Sequence, residues 1–165
     1  MKATMKRIAI CLIVVVLAIT STNEYASAAK RKYTATDLKL LTCIIYCESG
    51  NQSYKGKVAV ADVVLNRVDN KRFPKTIKAV IYQKSQFTPA RSGSLARAIK
   101  MYEGKIKYGR GQKKQMDESK KAAKAALAGK HVLSKNYLFF TGYRSKKTVL
   151  KKYPRAVFIG GHYFR

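Results

Sequence analysis

Acidic residues are the scarcest chemistry in this chain. Eight Asp and Glu stand against 35 Lys and Arg, a net charge of +27 over 165 residues. A surface with so few acids repels itself and attracts polyanions. Nucleic acid, anionic lipid headgroups and an anionic bacterial wall are the candidate partners, and charge alone does not choose among them. Long apolar runs are also missing. The uncharged run at residues 8–19 holds 12 residues, short of the about 20 needed to cross a bilayer. Cysteine is sparse, with Cys11, Cys43 and Cys47 only, and no metal-ligand spacing surrounds them. The two histidines, His131 and His162, have no such spacing either, and His162 reads as structural. No internal repeat is present. Hydrophobic residues still make up 47% of the chain, enough for one ordinary core and too many for a disordered polyelectrolyte.

The N-terminus narrows the choice of partner. Lys2, Lys6 and Arg7 precede the apolar run, and residues 20–28 are small and polar, ending Ala26-Ser27-Ala28. A basic head, an apolar stretch and an A-x-A site together predict an export signal at 1–28. Its removal leaves 32 bases and seven acids, a net +25. An exported domain argues against nucleic acid and for a wall or envelope partner. Residues 29–36 then form a short basic lead-in to a single domain at 37–165.

Within that domain, Thr34 or Thr36 caps a helix over 37–49, with Asp37 suited to its N-terminal dipole. Leu41, Ile44, Ile45 and Glu48 share one face of it. Residues 54–68 predict a second helix, apolar around most of its circumference and therefore buried on several sides. A short helix is expected over 76–82, a loop over 86–89, a helix over 94–103 and a solvated basic loop over 105–114. Asp117 is expected to cap an alanine-rich helix over 118–128 that Gly129 closes. Residues 137–140 and 156–159 read as strands. The class is a helix-rich α+β domain with a small sheet. Cys43 and Cys47, four apart on one helix, have poor disulfide geometry and are expected to be free thiols.

The few acids direct attention to one of them. Asp37 and Asp117 have capping positions, Glu118 a first helical turn, Asp69 a polar turn and Glu103 a basic segment. Glu48 instead sits at a helix C-terminus and on its apolar face. The dipole and desolvation both disfavour its charge, and so both raise its pKa. A carboxyl kept protonated near neutrality is what acid-catalysed glycosidic cleavage requires. A salt bridge to one of the many lysines is the competing reading.

Ordered segments support the first reading. Leu40-Leu41 and Ile44-Ile45-Tyr46-Cys47-Glu48 are followed by Tyr54, Gly56, Val58-Ala59-Val60 and Val63-Val64-Leu65-Asn66-Arg67-Val68. Phe73-Pro74, Thr76-Ile77, Val80-Ile81-Tyr82, Gln86-Phe87-Thr88, Tyr137-Leu138-Phe139-Phe140 and Ile159-Gly160-Gly161-His162-Tyr163-Phe164 continue the series. The series resembles the catalytic domain of the cell-wall hydrolases typified by the spore-cortex-lytic enzyme SleB and its relative CwlJ. The resemblance implies a lysozyme-like, lytic transglycosylase-like fold and cleavage of peptidoglycan glycan at the MurNAc–GlcNAc β-1,4 bond. It implies Glu48 as the catalytic acid and base, and Asn66, Gln86, Phe87, Thr88, Tyr137 and Phe139 as residues near the cleft. Hydrogen bonding to buried backbone competes as a role for Asn66, and core packing for Phe87, Tyr137 and Phe139. No metal or cofactor is implied, the partners are glycan strands and anionic wall polymers, and a monomer is expected. Three departures stand out. Gln52 replaces a second acid found in many relatives, the segment between Thr88 and Asp117 is longer and more basic, and residues 136–143 lack a frequent Asn-Pro. With Gln52 neutral, a lytic transglycosylase that needs one carboxyl is the favoured reading. A hydrolytic muramidase using Asp62 and a non-catalytic cationic wall binder are the alternatives.

Overall fold

The computed structural model describes residues 31–142 and 146–165. The expected export signal at 1–28 lies outside the described residues, as do positions 29–30 of the lead-in.

Helix α1, Ala35–Ser49, is the centre of the fold. Its start is fixed by a reciprocal capping box. The Asp37 N–H donates to Thr34 Oγ1 at 3.1 Å, and the Thr34 N–H donates to the Asp37 carboxylate at 3.0 Å. Thr34 is thus the cap, and Thr36 is not. Leu41, Cys43, Ile44 and Ile45 are wholly buried. Helix α2, Tyr54–Asp69, crosses α1 and is buried on nearly every side from Gly56 to Val68, as its composition predicts. Helices α3 (Ile77–Ile81), α5 (Ser94–Tyr102) and α6 (Gln112–Leu127) complete the layer around α1. The burial of so many aliphatic side chains, at about 2 kcal/mol each before entropy is counted, is the main force holding α1 in place.

Two local expectations are corrected. Residues 88–91 form a single turn, α4 (Thr88–Arg91), where a loop was expected, because Pro89 is tolerated in a helical first turn. Helix α6 begins at Gln112, six residues before the expected start, and Gly111 with φ +75° is its cap. Asp117 is inside the helix and pairs with Lys113 one turn earlier at 2.6 Å. The early start follows from Gln, Lys and Met being good helix formers, and from Met116 extending the buried stripe of Ser119, Ala122, Ala123, Ala126 and Leu127. Gly129 ends α6 as expected. At φ +86° it lets the Lys130 N–H reach the Ala125 carbonyl.

A three-stranded antiparallel sheet lies after the helices, in order β1 (Phe140–Gly142), β3 (His162–Phe164), β2 (Val157–Ile159). Helix α7, Lys146–Lys152, separates β1 from β2. The expected strand at 137–140 is displaced. Leu138 and Phe139 donate to the Arg165 main-chain oxygen, and regular pairing begins only at Phe140. The β2–β3 hairpin turns on Gly160 and Gly161, with φ of +57° and +92°, as a two-residue loop requires. This turn packs on the start of α2. A Cβ on Gly160 would lie 2.8 Å from Gly56 Cα, and one on Gly161 only 2.7 Å from the Gln52 side chain. The sheet therefore braces the segment that follows α1.

Candidate active site

The end of α1 opens into a cleft of about 550 Å³. Tyr46, Cys47 and Glu48 supply one wall, Asn51 the next, Thr88 and Ser92 from around α4 another, and Arg97, Gln112 and Gln115 the far side. Glu48 occupies the last turn of α1 because the helix stops at Ser49, whose hydroxyl donates to the Ile45 carbonyl, and Gly50 caps it. A Cβ at Gly50 would lie 2.6 Å from the Tyr46 carbonyl oxygen, so the turn after Glu48 accepts only glycine without moving.

The electrostatics single out Glu48. Seven Asp and Glu side chains lie in the described residues, and six are engaged. Asp37 serves the α1 cap, Asp69 binds Arg31, Glu103 binds Lys39 and Lys105, Asp117 binds Lys113, and Glu118 binds Lys57. Asp62 is fully buried and accepts from the Val132 N–H at 2.8 Å and the Leu133 N–H at 2.9 Å, with His131 Nδ1 at 2.7 Å. Glu48 is the one Asp or Glu side chain among the described residues with neither an ion pair nor a hydrogen bond. It is half-buried, and burial pushes its carboxyl above the ordinary glutamate range. The salt-bridge reading of Glu48 therefore fails despite the abundance of lysine. Its neighbour Cys47 also faces the cleft, but burial and then the charge of Glu48 push that thiol up to about 12. It stays a thiol, as does Cys43, and the two are not bonded to each other.

The other sequence-derived candidates divide. Thr88 is exposed and lines the Glu48 cleft. Gln86 is half-buried and does not line that cleft, and its main-chain N–H donates to the Gln83 carbonyl. Asn66 turns inward, its amide donating to the Ser134 and Tyr137 carbonyls at 2.9 and 3.0 Å. Phe87 is 2% exposed and packs in the core. Phe139 stacks edge-on to Phe73, and the Arg67 and Arg165 guanidiniums lie over it at 5.1 and 4.9 Å. Tyr137 donates to the Arg155 carbonyl and lines a different hollow. The side chains of Asn66, Phe87, Tyr137 and Phe139 are thus committed away from Glu48. Asp62, the second acid of the hydrolytic alternative, is likewise removed from the cleft, because its oxygens hold residues 131–133 against α2.

Sequence reasoning missed Tyr46, Asn51, Arg97, Gln112 and Gln115 as cleft residues. Asn51 and Tyr46 adjoin Glu48 and could have been read from helix spacing. Arg97 could not, because nothing in α5 itself signals that its polar face turns toward the end of α1. Arg67 was also missed. It is a cation 4% exposed, held by its Nε–H on the Leu138 carbonyl at 2.7 Å and by the Phe73, Phe87 and Phe139 rings within 5.2 Å.

The family model described as Cell Wall Hydrolase matches residues 51–165. The chain belongs to the Cell Wall Hydrolase family. Glu48 precedes the matched segment by three residues, so its candidacy rests on the cleft geometry. Among family relatives, the spore cortex-lytic enzyme of Bacillus cereus is 40% identical over 63 residues, 38% of this chain and 24% of that protein. The enzyme of the same name from Oceanobacillus iheyensis is 36% identical over 63 residues, 38% and 23% of the two chains. The chain's match thus spans about a quarter of these relatives' length. Among solved structures, the catalytic domain of the germination-specific lytic transglycosylase SleB from Bacillus anthracis superposes with a TM-score of 0.59 at 26% identity. That match covers 80% of this chain and 95% of the other. The catalytic domain of the Bacillus cereus SleB protein gives 0.57 at 25% identity, covering 87% and 98%. This Cell Wall Hydrolase chain therefore has the helix-rich, lysozyme-like architecture expected from its sequence.

Proposed function

We propose that the chain is a peptidoglycan lytic transglycosylase with Glu48 as its one acid and base. The observation that carries this reading is the isolation of Glu48, half-buried in an open cleft with no partner in a chain rich in cations. A carboxyl so placed holds its proton and can deliver it. The proton goes to the glycosidic oxygen as the bond from muramoyl C1 breaks. The carboxylate left behind takes the proton of the muramoyl C6 hydroxyl as that oxygen bonds to C1. The products are a 1,6-anhydromuramoyl end and a free GlcNAc hydroxyl, and Glu48 is protonated again.

One carboxyl suffices because the attacking hydroxyl belongs to the substrate and so has a high effective concentration. Hydrolysis would need a second carboxylate about 5–9.5 Å from the first. Gln52 is neutral, and Asp62 is buried with both oxygens engaged. The family and the SleB-like fold support a glycan substrate in the wall or cortex. The export signal expected at 1–28 supports secretion, and the net positive charge supports retention on wall anions. Mass analysis of fragments released from purified peptidoglycan tests the reading. Anhydro ends are lighter than hydrolytic ends by one water and resist borohydride.

A further inference from the structure

A second hollow, of about 490 Å³, shares no lining residue with the Glu48 cleft. Tyr137, Lys152, Tyr153, Arg155 and Arg165 lie in its wall, and among the described residues no Asp or Glu does. A further concavity on α7 is lined by Lys147, Thr148, Lys151 and Lys152, so Lys152 belongs to both. Five cations therefore follow one continuous surface. The paired acids of the described residues are all engaged elsewhere, and none neutralises this strip.

One cation of the strip is rigidly held. Arg165 exchanges main-chain hydrogen bonds with Phe139, and its guanidinium lies 4.0 Å from the Tyr153 ring centre and 4.9 Å from that of Phe139. Its Nε is buried without a partner. Arg67 lies over the same Phe139 ring, and one of its terminal nitrogens is also buried without a partner. Burial and the charge of Arg165 together lower Arg67 to about 10. Two guanidiniums lie against this one ring, and no Asp or Glu side chain among the described residues pairs with either, an arrangement that favours an anion.

We propose that this hollow and the adjoining α7 surface form a second binding site, for a phosphodiester polymer of polyol or sugar units in the wall. Arg155 and Arg165 offer planar forks that match phosphate oxygens. Tyr137 and Tyr153 offer apolar ring faces to the carbon skeleton between phosphates. The hollow has the size of a small-ligand pocket, and the lysines of α7 extend the charge beyond what a single ion could use. An exported wall hydrolase favours a wall phosphodiester over nucleic acid. The site would hold the enzyme on its substrate without contributing to the bond cleavage at Glu48.

The test is calorimetric titration of the full chain with purified poly(glycerol phosphate) at physiological ionic strength. The pair Lys152→Glu and Arg155→Glu changes two exposed side chains of the strip. The pair Lys78→Glu and Lys84→Glu makes the same charge change on exposed residues outside it. The strip pair is expected to weaken binding at least about tenfold and the control pair at most about twofold, since remote charges are screened beyond about 8 Å. Neutral replacement, Lys152→Gln with Arg155→Gln, is expected to fall between them, and circular dichroism checks that all variants fold. Glu48→Gln is expected to bind as the wild type does, which separates this proposal from the catalytic one. Equal weakening by both charge-reversed pairs, or no binding, overturns the proposal. So does a single-stranded oligonucleotide that binds as tightly and depends as strongly on the strip.

Discussion

Glu48 and the Arg67–Arg165 pair break the pairing of charge in opposite senses. Around Glu48 there is an acid without a cation. Around Phe139 there are two cations with no Asp or Glu partner among the described residues. Elsewhere the pattern is regular, and each remaining described carboxylate has a cation or a main-chain donor. In a chain with 35 bases, an acid left unpaired reflects exclusion by its surroundings. Glu48 is kept apart by its place on the apolar side of α1 and by a cleft wall of neutral residues, with Arg97 on the far side. The arginines are kept apart by aromatic rings, which tolerate a cation over their faces but supply no countercharge. The first arrangement favours the protonated form of the carboxyl. The second holds positive charge ready for an anion.

The contrast breaks most sharply at Glu48. Glu48→Gln is expected to fold and to lose about 10² to 10⁴ in peptidoglycan turnover, the range general acids supply. A loss of less than about tenfold, about 1.4 kcal/mol, would sink the assignment. Next in size is Asp62→Ala, which strands one buried and one part-buried N–H donor and is expected to lower stability by about 3 kcal/mol in denaturant unfolding. The chemistry of any product it still makes should be unchanged. Products that switched in type would return Asp62 to the reaction.

Smaller effects follow from the raised pKa of Glu48. Its folded-state value lies above its unfolded one, so the native state binds the extra proton. Stability attributable to this group is full at low pH and is lost as pH rises from the ordinary glutamate value through the raised one. Glu48→Gln lacks that loss. Its melting temperature is expected to match the wild type in acid and to exceed it slightly at neutral pH. A variant less stable than wild type at neutral pH would mean that Glu48 has a stabilising partner. The rate should share the same limb, with kcat/KM falling as pH rises through the raised pKa, because the general acid must enter protonated.

Much of this was legible in the sequence, and the exceptions have physical causes. The capping pair of Thr34 and Asp37, the buried stripe of α2 and the Gly129 stop are local signals, and each predicted its element. The start of α6 was hidden because lysines at 113 and 114 interrupt an apolar stripe whose first member is Met116. Glu48 was legible because acid on an apolar face is a local contradiction, and the cleft supplies its resolution. The aromatic segment at 137–140 was legible as structure but not in its direction. Which way Tyr137 and Phe139 turn depends on Arg67 and Arg165, distant in sequence and brought in by the main-chain pairing of Phe139 with Arg165. Asp62 was misdirected for the same reason, since its donors at 131–133 lie about seventy residues away.

One unpartnered carboxyl is proposed to perform both proton transfers. This is tested most directly by digesting purified peptidoglycan with the wild-type chain and weighing the muropeptides before and after borohydride treatment. Ends lighter by one water that borohydride leaves unchanged are expected, and they are absent when Glu48→Gln replaces the wild type. Predominantly reducible muramic acid ends would contradict it, because water would then have been activated by a second group.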